Sequence, residues 1–119
     1  MSRSQITVTD TTRSGATAIA QTVADSSNGH YFTGLTGQEW IEIVNTAASA
    51  ATVTIKVSPT YTADGLVVSD LPIIVGAGAT VVAAPFKVLT FKQNSTNDVY
   101  INPGVSTTLK FRVWRLGAS

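Results

Sequence analysis

The sequence predicts an all-β fold: a single antiparallel β-sandwich, Ig-like or jelly-roll-like, with an extended amino-terminal arm. Three observations carry that expectation. From residue 40 onward, short apolar–polar alternating runs recur roughly every 8 to 12 residues, separated by clusters of Gly, Pro, Asn and Asp. The last run, Leu109-Lys110-Phe111-Arg112-Val113-Trp114-Arg115-Leu116, alternates cleanly, and a strand sends successive side chains to opposite faces. The length of 119 residues suits one domain, which buries about two-thirds of its unfolded surface and needs no disulfide staple. The expected division is an arm over residues 1–15, able to order on binding, and a sandwich over 16–119.

The elements follow in chain order. The arm is polar and Thr-rich, and Gln5–Thr9 reads as a strand or an extended segment. Ala16–Ala24 is expected to be extended, because Thr17, Ile19, Thr22 and Val23 lower helix propensity and no capping box precedes them. Asp25-Ser26-Ser27-Asn28-Gly29 and Gly34–Gly37 are turns. Trp40–Thr46 and Thr52–Ser58 read as a hairpin across Ala47–Ala51, with Ile41, Ile43, Val53, Ile55 and Val57 inward. Trp40, Glu42, Val44, Thr52, Thr54 and Lys56 would then face outward. Pro59 ends that second strand, and Asp64-Gly65 turns the chain before Leu66-Val67-Val68. Leu71–Val75 and Thr80–Ala84 flank the Gly-rich reversal Gly76–Ala79, predicting another hairpin, and Val88–Gln93 pairs with Val99–Asn102 across Asn94–Asp98. Asn102-Pro103-Gly104 leads into the final strand.

Composition narrows the function. Charged residues make up 13% of the chain, about half the usual share, and Thr, Ser, Asn and Gln solvate it instead. Such a surface favours association. Eight Lys and Arg against seven acids give a net charge of +1, and the cations are scattered, which excludes an electrostatic footprint for nucleic acid. Lys110, Arg112 and Arg115 lie close in sequence, but alternation splits Arg115 from the other two. There is no cysteine, so thiol chemistry and Cys-ligated metals are excluded. Met1–Thr7 has no apolar core of a secretory signal, and no stretch reaches the length of a membrane span. A protein made in the cytoplasm, or assembled there into something larger, is expected, with no membrane or nucleic-acid partner.

Residues suited to catalysis are few. His30 is the sole histidine and sits beside a turn. The carboxylates Asp10, Asp25, Glu39, Glu42, Asp64, Asp70 and Asp98 are dispersed, mostly at turns where Asp bonds the local backbone. Asp64 and Asp70 flank one short segment, yet no loop there supplies the six to eight oxygens that calcium takes. Gly76-Ala77-Gly78 lacks the following helix and Lys-Ser/Thr of a phosphate loop. The expectation is therefore no enzyme, no metal and no cofactor. The face Lys110, Arg112, Trp114, Leu116 instead has the composition of a protein contact surface, since Trp and Arg are enriched at interface hot spots. Trp40 and Glu42 repeat that pattern on an earlier strand, and Ile6 and Val8 of the arm join the candidate surface.

A set of ordered fragments carries a resemblance. Trp40-Ile41-Glu42-Ile43-Val44-Asn45-Thr46 is followed by Ala51-Thr52-Val53-Thr54-Ile55 and by Asp64-Gly65-Leu66-Val67-Val68-Ser69-Asp70. Then come Val75-Gly76-Ala77-Gly78-Ala79-Thr80, Pro85-Phe86, Val99-Tyr100-Ile101 and Arg112–Leu116. Over roughly residues 28–116 this resembles a family of small tailed-phage head proteins. The resemblance implies a structural virion protein: a capsid decoration, or cement, β-sandwich on the outer surface of an assembled head. It further implies the major capsid protein as partner, a homo-oligomer with a trimer favoured, and no catalytic residue. The arm and the two tryptophans depart from the family pattern. Alternatives are another phage module, tail or fibre, and a carbohydrate-binding sandwich using Trp40, Trp114, Tyr31, Tyr61 and Tyr100 as stacking platforms.

Overall fold

Alternation of buried and solvent-facing residues sets the strands. The computed structural model describes residues 3–11, 21–59, 62–63, 65–83, 88–93 and 96–116. In chain order the strands are β1 (Ser4–Gln5), β2 (Val8–Thr11), β3 (Thr22–Val23), β4 (His30–Phe32), β5 (Glu39–Asn45) and β6 (Ala51–Ile55). There follow β7 (Thr62–Ala63), β8 (Leu66–Val67), β9 (Leu71–Val75) and β10 (Thr80–Ala83). A single helical turn α1 (Val88–Phe91) precedes β11 (Val99–Pro103) and β12 (Leu109–Leu116). β5 and β11 alternate without a break between buried and half-buried positions, the pattern of strands with one face in a core.

Two sheets form, one in the order β1-β4-β11-β6-β9 and the other β10-β5-β12-β2, with β3 also on β12. The free side of β12 is shared: β3 lies beside Lys110 and Phe111, and β2 beside Val113–Leu116. The antiparallel pairs nest within one another as β3·β12, β4·β11, β5·β10 and β6·β9. Successive pairs fall alternately in the two sheets, so the chain is one long hairpin rolled up around its core. Its tip carries the small β7·β8 ladder, where Ala63 pairs with Leu66 and Gly65 takes φ 79°. That is the strand arrangement of a jelly roll, with two parallel additions at the amino terminus.

The core lies between the sheets. Phe32, Val53, Ile55, Val75, Val99 and Ile101 enter from one side, and Ile41, Ile43, Leu109, Phe111 and Val113 from the other, all fully buried. Burial of apolar area at about 25 cal/mol per Å² supplies the driving force.

Three expected hairpins are differently made. β5 and β6 do not pair, nor do β9 and β10, because each connection crosses from one sheet to the other. Buried Asn45 ties both crossings together. Its side-chain amide donates to the carbonyls of Ser49, Val75 and Gly76 at 3.0, 3.1 and 3.2 Å, bracketing the two loops at one end of the sandwich. Val88–Phe91, expected as a strand, is a helical turn. Ser58, just after β6, is tied to it, its amide donating to the Thr90 carbonyl at 2.7 Å.

The amino-terminal segment is part of both sheets over residues 3–11. β1 runs parallel to β4 and β2 runs parallel to β12, with Ile6 between them, 1% exposed, in the core. Much of Ala16–Ala24, and the boundary at residue 15, lie outside the described residues. At the β11–β12 connection only glycine fits: a Cβ on Gly104 would stand 2.8 Å from the Thr52 carbonyl oxygen, to which the Gly104 amide donates.

Candidate functional site

The long antiparallel pairing of β5 with β12 places Trp114 opposite Trp40, Arg112 opposite Glu42 and Lys110 opposite Val44. All six face away from the core, since their neighbours Ile41, Ile43, Phe111 and Val113 fill it. The two indoles stack, with centroids 5.4 Å apart and planes at 16°. Such a pair is worth about 0.5–1.5 kcal/mol beyond its area. Arg112 Nη1 donates to Glu42 Oε1 at 3.2 Å. Both ends of that bridge are partly exposed, so it contributes about 0–1 kcal/mol and mainly fixes the side chains.

Neighbouring strands widen this face. β10 sets Val82, 58% exposed, opposite Glu42, and Thr80 opposite Val44. β3 brings Val23, 49% exposed, opposite Lys110, and β2 brings Thr9 opposite Trp114. The result is a sheet face of tryptophan and valine carrying one ion pair and Lys110. Trp114 Nε1 is buried with no hydrogen-bond partner among the described residues. No protein family model, curated protein or solved structure matches this chain.

The expected interface residues divide. Trp114, Arg112, Lys110, Trp40 and Glu42 share the face. The backbone of Leu116 pairs with Thr11 on the same strand edge, while its side chain lies outside the described residues. Ile6 and Val8 are corrected: Ile6 is core and Val8 packs against the core, because the arm threads between the sheets. Lys56 belongs to the opposite side of the sandwich, where its Nζ donates to Asp70 Oδ2 at 2.9 Å. Two further residues of the glycan reading are also there. Tyr31 and Tyr100 are register partners on the outer face of the first sheet, and the Arg3 guanidinium lies 4.3 Å over the Tyr100 ring. The tryptophans and these tyrosines thus stand on opposite faces of the molecule, and Tyr61 lies outside the described residues.

At inward-facing positions the same two strands hold an ion pair whose carboxylate is buried and whose guanidinium is partly exposed. Arg115 is opposite Glu39, and its Nε donates to Glu39 Oε2 at 2.6 Å. The Glu39 carboxylate, fully buried, also accepts from the amides of Thr36, Gly37 and Gln38 and from the Thr36 hydroxyl. Burial pushes its pKa up, but Arg115 and the Thr36 donors outweigh that and hold it below the ordinary 4.5. Arg115 reaches on to the Gly34 carbonyl at 2.9 Å and toward Asp10 at 3.7 Å. One guanidinium therefore binds the 33–38 loop to the last strand. The signal was present in the sequence: Glu39 has the parity of Ile41 and Ile43, and Arg115 that of Phe111 and Val113.

The remaining titratable groups are engaged locally. Asp70 accepts from the Val57 amide and from Lys56, which lower its pKa. Asp25 accepts from the Asn28 side chain and from the Asn28 and Ser27 amides, and the first of these does most to lower its pKa. His30 is a core residue, its ring edge-on to Phe111 at 5.4 Å. Among the described residues no three of His, Cys, Asp or Glu cluster as metal ligands.

Proposed function

We propose that this chain is a structural virion protein, a capsid decoration protein that binds the outer surface of an assembled phage head and stabilises it without catalysis. The observation that carries the reading is the stacked, partly exposed Trp40–Trp114 pair on an outer sheet face, flanked by Val82, Val23 and the Arg112–Glu42 bridge. A tryptophan desolvated at such a face contributes about 2–3 kcal/mol, and a surface poor in ions is covered at little desolvation cost. Repetition of a modest contact over a symmetric shell multiplies it into tight attachment. The ordered fragments from Trp40 to Leu116 support the same reading by their likeness to tailed-phage head proteins. The partner is the major capsid protein, the site of action is the virion after synthesis in the host cytoplasm, and the chain associates with itself, as a trimer by that likeness.

The test is co-sedimentation of the purified chain with expanded empty heads of the phage that encodes it, with copies per shell counted. Saturable binding at a symmetry-related copy number is expected. Absence of binding at micromolar concentration would refute the reading, and binding to tail or fibre particles instead would move the protein to another part of the virion.

A further inference from the structure

The sole histidine occupies a place the structural role above does not use. His30 is 1% exposed, and its Nε2 accepts the Asp25 amide N–H at 2.8 Å. An accepting Nε2 places the neutral ring's proton on Nδ1, which has no hydrogen-bond partner among the described residues. Two short segments meet at this point. The Ser4 amide of β1 donates to the Gly29 carbonyl at 3.1 Å, and Arg3 Nη1 donates to the His30 carbonyl at 3.3 Å. The 25–29 turn closes through Gly29 N to Asp25 O at 2.9 Å and touches the β11–β12 connection through Ser26 and Ser106. β1 is held independently of the ring as well, by Arg3 Nη1 donating to Asn102 Oδ1 at 2.6 Å and by the Ile6 amide donating to the Tyr31 carbonyl at 2.8 Å.

We propose that His30 is an acid-sensitive latch: protonation of Nε2 turns the acceptor into a donor facing the Asp25 N–H, and frees the 25–29 turn while β1 and both main sheets stay paired. The charged groups facing the ring are Asp25, which favours the imidazolium, and Arg3, which opposes it. The Ser4 backbone on β1, as a hydrogen-bonding neighbour, also favours the imidazolium, which keeps β1 docked when the ring is charged, whereas Ile101 on β11 and Phe111 on β12 are apolar. Burial is the largest influence and holds the pKa below the ordinary 6.5, so the latch stays closed at neutral pH.

Amide hydrogen exchange and the imidazole NMR shift, followed on the full chain from about pH 7.5 to about pH 5, test this. Corrected for intrinsic exchange, the amides of Asp25 and Gly29 are expected to open about tenfold more often at the acid end, while those of Ser4, Ile43 and Val113 do not change. His30→Gln keeps an acceptor without a titrating charge and is expected to abolish the response. Asp25→Asn is expected to move both the imidazole titration and the opening to lower pH together, which keeps the test open should His30→Gln not fold. A uniform rise across both sheets, an unchanged response in His30→Gln, or an imidazole that titrates with no local opening would overturn the latch.

Discussion

Trp40 and Trp114 are register partners on adjacent antiparallel strands, and their rings lie 5.4 Å apart at 16° on the outer face of the sheet. Each ring gives one face to the other, so the pair stands as a packed ridge on the sheet. A double-mutant cycle with Trp40→Ala and Trp114→Ala is expected to yield a coupling of about 0.5–1.5 kcal/mol in urea unfolding. Trp114→Ala alone should lower folding stability by about 1–2 kcal/mol, because the residue is half-buried, yet lower head occupancy more than tenfold. Equal losses in folding and in binding would mark Trp114 as a folding residue with no part in attachment.

Glu39 and Arg115 form the second cross-strand relationship, this one inward. Glu39→Gln removes the shorter of the two carboxylate contacts of Arg115, leaving Asp10 at 3.7 Å, and is expected to cost about 3 kcal/mol in chemical denaturation. The pH dependence has a definite sign. The folded pKa of Glu39 lies below the ordinary 4.5, so its contribution is complete above that value and is lost as pH falls through the folded pKa. Glu39→Gln should therefore flatten the acid limb of the stability curve. An acid limb as steep as that of the unsubstituted protein would show that other carboxylates set it.

The amino-terminal segment is now expected to matter for folding. Ile6 is 1% exposed, and its neighbours pair with β4 on one sheet and β12 on the other. Ile6→Ala should cost about 2–5 kcal/mol. Deleting residues 1–11 should lower the urea midpoint further still. A deletion variant as stable as the full chain would show that these strands add nothing to the fold.

Thr107 carries φ 66° in the β11–β12 connection, a left-handed conformation that a β-branched residue adopts at a cost. Thr107→Gly is expected to stabilise the protein by about 1 kcal/mol, read as a rise in thermal midpoint of several degrees. A fall in midpoint would mean that the threonine side chain makes a contact worth more than the strain.

Much of this architecture could be read from alternation, and the reasons for the rest are physical. Period two placed Trp40, Glu42, Lys110, Arg112 and Trp114 outward and Ile41, Ile43, Val53 and Ile55 inward, because burial on one face is a local pattern. It could not say which sheet each strand joins. The β5–β6 and β9–β10 connections have hairpin lengths, yet they cross the sandwich, where Asn45 binds both loops through a contact spanning about thirty residues that no local pattern encodes. For the same reason alternation groups Lys56 with Trp40 although it faces the other side, and the described part of the polar arm holds a core residue, Ile6. Parity marks Glu39 and Arg115 each as an inward charge that needs a partner, but only the β5–β12 register shows that they are each other's.

The most direct measurement of the central claim is the occupancy of expanded heads by the unsubstituted chain and by a variant with both tryptophans changed to alanine. Circular dichroism is needed to show that both are folded. Saturating, symmetry-related occupancy for the first, and at least a tenfold loss for a folded second, is the predicted result. Equal occupancy by both would contradict the assignment of the β5–β12 face as the attachment surface.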